Sequence, residues 1–181
     1  MSILSVYHLS STQMPNKVLT HFEDIASTLA EQGVVFERWQ ASVPVSPGDS
    51  AEEVISAYGG HIDPLMGAHG LVSVDVISVR RDTPQASALR AGLLAEQFHA
   101  AGSVRLFIAG RGLLNLHIGE FVYAVLCERN DSLRIPAGVL HWIDIGREPH
   151  LVAVGLFGHS QGWIAEPIAS GIADQFPELD D

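Results

Sequence analysis

The sequence predicts a mainly β protein in which the helices are confined to the N-terminal half. Beyond residue 90 helical periodicity disappears, and short apolar runs follow one another at regular spacing. Turn signals rich in glycine, asparagine and aspartate separate these runs, which is typical of an antiparallel sandwich or barrel. The runs are SVRLFIAG, GLLNLHIG, FVYAVLCE, DSLRIPAG, HWIDIG and HLVAVGLFG. We therefore expect an α+β fold whose β-barrel core covers residues 91–160.

The chain begins with a strand, a helix and a second strand. The segment ILSVYHL has strand composition, and HFEDIASTLAEQG follows it with an amphipathic pattern. That pattern puts Phe22, Ile25 and Leu29 on one helical face, and Gly33 is placed to end the helix. VVFERWQA then alternates apolar and polar residues, as a half-buried strand does.

A second helical region precedes the last strand of the N-terminal half. Ser50 is followed three residues later by Glu53, which is a capping-box pattern at a helix start. The segment SAEEVISAYGGHIDPLMGAHG predicts a helix that breaks near Gly59 and Gly60, with a shorter helix after the break. The next run, LVSVDVISV, has the composition of a strand.

Length and composition indicate one compact domain. The 181 residues are 47% hydrophobic and 17% charged, which favours a globular enzyme or binding domain over a disordered chain. We expect residues 1–90 to pack strands and helices on the barrel of residues 91–160. Residues 161–181 would then form a C-terminal extension.

Charge and hydropathy exclude several kinds of partner. A net charge of −11 repels nucleic acid and anionic lipid surfaces, so we expect a small-molecule substrate instead. No apolar run approaches the roughly 20 residues of a membrane helix, and the N-terminus lacks the pattern of an export signal. Cys127 is the single cysteine, which fits a reducing, cytoplasmic location.

Residues 110–144 carry the most specific pattern in the chain, GRGLLNLHIGEFVYAVLCERNDSLRIPAGVLHWID. This segment resembles the acireductone dioxygenases, the cupin enzymes of methionine salvage. The segments PNKVLTHFEDIASTLAEQGV and VDVIS resemble the same family, so the resemblance covers nearly the whole chain. It implies a cupin fold, the jelly-roll barrel that is also called a double-stranded β-helix, and an activity like that of a dioxygenase, an oxidoreductase.

The two cupin motifs keep their spacing but lose half of their ligands. The first, usually His-x-His-x3-Glu-x6-Gly, falls on Gln97-x-His99-x3-Ser103-x6-Gly110. The second, Pro-x-Gly-x2-His, ends at His141. In the resembled family three imidazoles and one carboxylate hold Fe(II) or Ni(II). Residues two apart on a strand share a face, so positions 97 and 99 should both face the barrel interior.

The replacements predict a degenerate metal site. Gln97 offers only a neutral amide oxygen, and the Ser103 hydroxyl is too short to coordinate where a glutamate would. Without a carboxylate, a buried divalent ion has no internal charge partner. His99 and His141 would therefore bind Fe(II), Ni(II) or Zn(II) weakly, or no metal at all. Glu96 should face away from the cavity, because it neighbours Gln97 on a strand.

The substrate contacts also depart from the resembled family. The resemblance implies two arginines that hold an anionic enediolate; one matches Arg105, and Gly155 stands at the other position. These departures gather at the cavity, which indicates a reshaped pocket. The expected substrate contacts are Arg105, Gln97 and Ser103, and the expected catalytic residues are His99 and His141. His159 in FGHSQGW is expected near the mouth of the barrel.

Three function classes remain open at this level. The chain could be a true Fe or Ni acireductone dioxygenase that works with fewer ligands. It could be a diverged cupin enzyme acting on a small enediol or oxygen-rich acid, with a weak two-histidine metal or none, and with His99 and His141 as acid and base. It could also be a non-catalytic cupin that binds a small molecule. The gathered departures favour the second class.

Overall fold

The computed structural model describes residues 1–180, which form eleven strands, three α-helices and a short 3-10 helix. The helices are α1 Phe22–Ala30, α2 Ala51–His69 and α3 Ala86–Leu94, and the 3-10 helix is Ile172–Gln175. The strands of the N-terminal half are β1 Ile3–His8, β2 Lys17–Leu19, β3 Val35–Arg38 and β4 Ser73–Arg80. The later strands are β5 Gln97–Phe98, β6 Ser103–Ile118, β7 Phe121–Glu128, β8 Asp131–Ile135, β9 Leu140–Asp144, β10 His150–Phe157 and β11 Glu166–Pro167.

The strands form two antiparallel arms that share the long strand β6. The first arm has the order β11-β5-β9-β6-β7-β1-β2, and the second has the order β4-β10-β6-β8-β3. The first part of β6 pairs with β8 and β10, and its later part pairs with β7 and β9. Among the described residues neither arm closes on itself, so the core is an open jelly roll and not a sealed barrel.

The corner in β6 depends on Gly110. Its φ of 70° lies in the left-handed region, which a glycine adopts without strain. A Cβ at this position would stand 1.8 Å from the carbonyl oxygen of His150 on the neighbouring strand. The sequence predicted two strands separated by a turn at this glycine; the structure has one 16-residue strand that bends there.

The core has two large parts. One lies between the arms and includes Phe36, Phe107 and Leu114. The other lies on the outer face of the second arm, where β6 and β10 pack against Val54 and Tyr58 of α2. Helix α2 thus covers the outer face of the second arm. None of the helices among residues 1–180 combines the length and the apolar character needed to cross a bilayer.

The predicted break in α2 is wrong. The helix is continuous from Ala51 to His69, and Ser50 caps its start by accepting a hydrogen bond from the Glu53 N–H. A Cβ added at Gly59 or Gly60 would meet nothing within 4 Å, so these glycines face open space. Each glycine costs the helix about 1 kcal/mol relative to alanine. Burial of the opposite face offsets that cost, and the helix does not break.

Helical structure also continues past residue 90, where the sequence predicted that it ends, because α3 runs from Ala86 to Leu94. This helix buries Ala86 and Leu93, and Leu89 packs against the core between them. The spacing of these apolar residues is helical, but the segment is short and has no capping residue at its start. The strands of the core therefore begin at Gln97, and β5 holds only two residues.

Candidate active site

The structure brings the five predicted site residues together in the interior between the two arms. Gln97 lies on β5 opposite His141 of β9, and His99 follows directly after β5. Ser103 and Arg105 occupy the start of β6, on the same face of the strand. All five side chains are buried. We refer to Gln97, His99, Ser103, Arg105 and His141 together as the central site.

Hydrogen bonds fix the protonation of His141. Its Nδ1 lies 2.9 Å from the carbonyl oxygen of Val139, which can only accept, so Nδ1 carries the proton of the neutral ring. Its Nε2 is then an acceptor, and it lies 3.4 Å from Nη2 of Arg105. Burial, reinforced by the Arg105 charge, lowers the pKa of His141 to about 3. The imidazole is therefore neutral at physiological pH.

Arg105 is a fully buried cation with no counter-charge. Its guanidinium lies over the rings of Phe157 and Trp163, with Cζ at 5.0 and 4.6 Å from their centroids. Its Nε donates to the Ser103 hydroxyl at 3.2 Å, and its Nη1 has no hydrogen-bond partner. Within residues 1–180 no carboxylate forms an ion pair with it. Burial lowers the pKa of Arg105 to about 9, which leaves it charged at neutral pH.

His99 stacks between other aromatic rings. Its ring centroid lies 5.0 Å from that of His141, 5.0 Å from that of Phe157 and 4.6 Å from that of His159. Its Nδ1 lies 2.5 Å from Nε2 of His159, while its own Nε2 is buried without a partner. Burial, with smaller effects from Arg105, His141 and His159, lowers the pKa of His99 to about 2.

Gln97 is oriented by the C-terminal segment. Its Oε1 accepts a hydrogen bond of 2.6 Å from the backbone N–H of Ala165, which can only donate. Its Nε2 therefore carries the two donors, and it is buried without a partner. The sequence did not predict this contact, because it joins residues 68 positions apart through a segment with no periodic pattern.

Aromatic rings occupy the region where the resemblance implies a second arginine. A Cβ at Gly155 would stand 2.4 Å from ring atoms of Phe157 and 3.0 Å from Trp163, so no larger side chain fits without moving them. Asp75 holds Trp163 in place, because its carboxylate accepts from the Trp163 backbone N–H and its carbonyl accepts from the indole N–H. The site thus includes four residues that were assigned no role from the sequence: Asp75, Phe157, His159 and Trp163.

Glu96 lies outside the central site. Its carboxylate contacts Nδ1 of His117 at 2.6 Å and accepts a hydrogen bond of 2.8 Å from the Ser170 hydroxyl. These partners use both of its oxygens, so Glu96 does not replace the carboxylate that Ser103 lacks. The sequence had placed it away from the cavity for reasons of strand parity alone.

The side chains of the central site do not fit the metal that the resemblance implies. The Gln97 oxygen already accepts from Ala165, and the Ser103 hydroxyl already accepts from Arg105. The Arg105 guanidinium, which is charged at neutral pH, lies against Nε2 of His141, where a metal would bind. Among the described residues, no three His, Cys, Asp or Glu side chains are grouped closely enough to hold an ion.

A neighbouring cavity of about 300 Å³ lies beside the central site. It opens between the end of α2 and the start of β6, and Leu71, Arg134 and Ser103 are among its lining residues. His99, Arg105 and His141 do not line it. His159, which contacts His99 of the central site, is half-buried.

Comparisons with known proteins agree with the fold and the motifs. Residues 6–165 match the family described as ARD/ARD'. The chain is 58% identical to an acireductone dioxygenase of Pseudomonas syringae pv. syringae (strain B728a) and to one of Stutzerimonas stutzeri (strain A1501). It is 53% identical to one of Pseudomonas aeruginosa (strain UCBPP-PA14). In each case the match covers 181 residues and 100% of both chains.

A solved structure confirms the predicted fold class. The acireductone dioxygenase from Bacillus anthracis, solved with a cadmium ion in its active center, superposes with a TM-score of 0.78. The alignment covers 93% of this chain and 98% of the other, at 22% identity. This likeness supports the cupin fold, with its strands and three helices, and the full-length identities support the family. The chain belongs to the ARD/ARD' family of acireductone dioxygenases.

Proposed function

We propose that this acireductone dioxygenase-like cupin is a diverged enzyme that binds a small enediol or oxygen-rich acid at the central site without the metal of its family. Arg105 would bind the negative charge of the ligand. His99 and His141 would be the acid and base, and Gln97 and Ser103 would complete the contacts.

The observation that carries this proposal is the uncompensated charge of Arg105. Removing an ion from water costs several kcal/mol after relaxation, and an ion partner normally offsets that cost. Here the guanidinium has aromatic faces and one hydroxyl, but no carboxylate within the described part of the chain. A bound anion would supply the missing charge. Because Arg105 is positively charged and has no ion-pair partner, we expect the ligand to be an anion.

Proton transfer is the chemistry that these side chains can perform. His141 presents a lone pair on Nε2 beside the guanidinium, and a substrate hydroxyl could donate to it. A bound anion would oppose the Arg105 charge, which is among the causes of the low pKa of both histidines. Anion binding would therefore raise these pKa values toward the range in which imidazole exchanges protons. This scheme involves no redox step.

One other function is favoured by a specific observation. The identities of 53% to 58% over the whole chain favour a Fe or Ni acireductone dioxygenase. That function needs a metal, and the hydrogen bonds of Gln97, Ser103 and Arg105 would have to rearrange before one could bind. Metal content therefore separates it from our proposal.

The binding test uses ascorbate as a stable enediolate, with protein that a chelator has freed of metal and solutions kept under nitrogen. We expect a saturable change in tryptophan fluorescence, because Trp163 stacks on Arg105. Arg105→Met should weaken binding by about 100-fold, as expected when a buried charge-assisted contact is removed. Arg81→Met removes an equal charge from an exposed position and is the matched control.

A second measurement separates an enzyme from a binding protein. Hydroxyacetone exchanges its carbon-bound hydrogens for deuterium in D2O through an enediol, and proton NMR follows this exchange. We expect the parent protein to accelerate it and Arg105→Met to remove the acceleration. Binding of ascorbate without any acceleration would indicate a non-catalytic cupin. A parent protein that binds no ascorbate would contradict the proposal.

A further inference from the structure

A chain of hydrogen bonds leads from the segment after β10 into the central site. It begins at the backbone N–H of Gln161, which donates to Nδ1 of His159 at 3.0 Å. A backbone N–H can only donate, so Nδ1 of His159 must hold a lone pair. The neutral His159 ring then carries its proton on Nε2.

The second step fixes the protonation of His99. Nε2 of His159 lies 2.5 Å from Nδ1 of His99, and the N–H of His159 must be the donor. Nδ1 of His99 is therefore the acceptor, and the neutral His99 ring carries its proton on Nε2. That N–H is buried and has no partner. His159, which is half-buried, thus determines which ring nitrogen of His99 carries the proton.

The side-chain atoms of the central site that lack a hydrogen-bond partner are all donors. Five buried side-chain atoms lack a partner among the described residues, and three of them belong to this site. These three are Gln97 Nε2, His99 Nε2 and Arg105 Nη1. Each is a hydrogen-bond donor, given the orientation of the Gln97 amide and the protonation of His99 on Nε2. The acceptors of the site, the Ser103 hydroxyl and Nε2 of His141, already face Arg105.

We infer that His159 is a positioning residue that fixes the tautomer of His99, so that the central site presents three N–H donors and selects an ionised ligand with several oxygen atoms. The inference deepens the proposed function and rests on it. It also explains the poor fit to a metal ion, since a protonated Nε2 cannot coordinate. A cation, or the N–H groups of an amide, would leave donors facing donors, which is costly in a buried site.

The tautomer can be measured in the ligand-free protein. Long-range nitrogen–proton NMR correlations at pH 7 distinguish a ring protonated on Nδ1 from one protonated on Nε2, and a His99→Gln sample assigns the His99 signals. We expect His99 to be protonated on Nε2. Protonation on Nδ1 would overturn the inference, whatever ligand the protein binds.

A pair of nearly isosteric variants tests the role of His159. His159→Gln keeps an N–H that can donate to Nδ1 of His99, so the tautomer and ascorbate affinity should be retained. His159→Glu supplies only acceptors, so His99 should switch its proton to Nδ1 and ascorbate binding should weaken about 10-fold to 100-fold. Ser160→Glu adds the same charge at an exposed neighbouring position and controls for simple repulsion.

The outcomes separate this inference from the proposed function. If the parent, His159→Gln and His159→Glu bind ascorbate equally well, the proposed function stands and the role of His159 is wrong. If the parent binds no ascorbate, the proposed function fails, and the NMR tautomer still decides what His159 does. Should His159→Glu not fold, the parent spectrum alone confirms or overturns the tautomer.

Discussion

Two buried ionic groups, Asp144 and Arg105, differ in how their charges are satisfied. Asp144 lies on β9, three residues after His141, and accepts Nε and Nη2 of Arg90 at 2.8 and 3.0 Å. It also accepts the backbone N–H groups of Leu179 and Gly146. Arg105 has one hydroxyl, one imidazole and aromatic faces, but no opposite charge among the described residues.

We propose that this difference separates a structural charge, Asp144, from a functional one, Arg105. Asp144 joins β9, α3 and the C-terminal tail, and its four hydrogen bonds use its lone pairs fully. Such a carboxylate needs no ligand. Arg105 keeps a buried N–H without a partner, which stabilises the fold little and which, in the proposed function, would bind an anion. The two groups should therefore respond in opposite ways to mutation and pH.

The largest expected effect is acid destabilisation through the central histidines. The pKa of His99 is lowered from 6.5 to about 2 and that of His141 to about 3, so both bind protons more weakly when folded than when unfolded. Their stabilising contribution is complete above pH 6.5 and falls as pH decreases toward these values, by about 1.4 kcal/mol per pH unit for each group. We expect a loss of about 3 kcal/mol or more between pH 6.5 and 4.5.

Urea unfolding of the parent and of His99→Gln/His141→Gln over this pH range measures the effect. The variant, which lacks both imidazoles, should lose much less stability. Parallel curves for the two proteins would mean that the histidines of the central site are not held neutral.

Asp144 should affect the pH dependence of folding stability only at lower pH. Burial alone would raise its pKa, but Arg90 and the N–H groups of Leu179 and Gly146 outweigh burial, so its pKa is lowered below 3.8. Its contribution is therefore complete above pH 3.8 and is lost as the pH falls below that value. Acid unfolding above pH 4.5 should be the same in the parent and in Asp144→Asn, once their difference at neutral pH is subtracted.

The next effect concerns the paired charge. Arg90→Met leaves Asp144 buried with only its backbone donors, and should destabilise the fold by about 2 to 3 kcal/mol. Arg81→Met, at an exposed position, should change stability by less than about 0.5 kcal/mol. Urea unfolding at pH 7 compares them. Equal stability of the two variants would show that the ion pair of Asp144 is not a structural element.

The smallest expected effect concerns the unpaired charge. Arg105→Met replaces a buried cation without a partner by an apolar side chain, which is often neutral or stabilising. We expect the free energy of unfolding to change by no more than about 1 kcal/mol, although ligand binding is lost. A loss comparable to that of Arg90→Met would contradict the distinction between the two charges.

The resemblance to the cupin motifs, together with strand parity, predicted that the residues of the central site lie close together. Gln97 and His141 lie opposite each other in neighbouring strands, and Ser103 and Arg105 share a face of β6, as such spacing predicts. The hydrogen bonds that orient Gln97 and set the protonation of His99 could not be predicted from strand parity or motif spacing. They involve Ala165 and His159, which lie in an irregular segment where no periodicity fixes the direction of a side chain.

Local sequence patterns also explain why part of the fold was predicted wrongly. The apolar face of α2 persists through its glycines, a balance of burial against helix propensity that a local pattern does not weigh. From the sequence alone, Gly155 could be recognised as a departure from the arginine that the resembled family implies. Only the structure shows that the Phe157 ring fills the space above it.

The central claim is that this chain lacks the metal centre of its family, and a calorimetric titration with Ni(II) tests it most directly. The proteins are the parent, purified without an affinity tag and freed of metal, and the double variant Gln97→His/Ser103→Glu. The variant restores an imidazole and a carboxylate, and the carboxylate also offsets the charge of Arg105. Since even indirect changes around a site alter metal affinity by about 10-fold to 100-fold, the variant should bind Ni(II) at least 100-fold more tightly than the parent. Tight, equimolar binding by the parent would contradict the account.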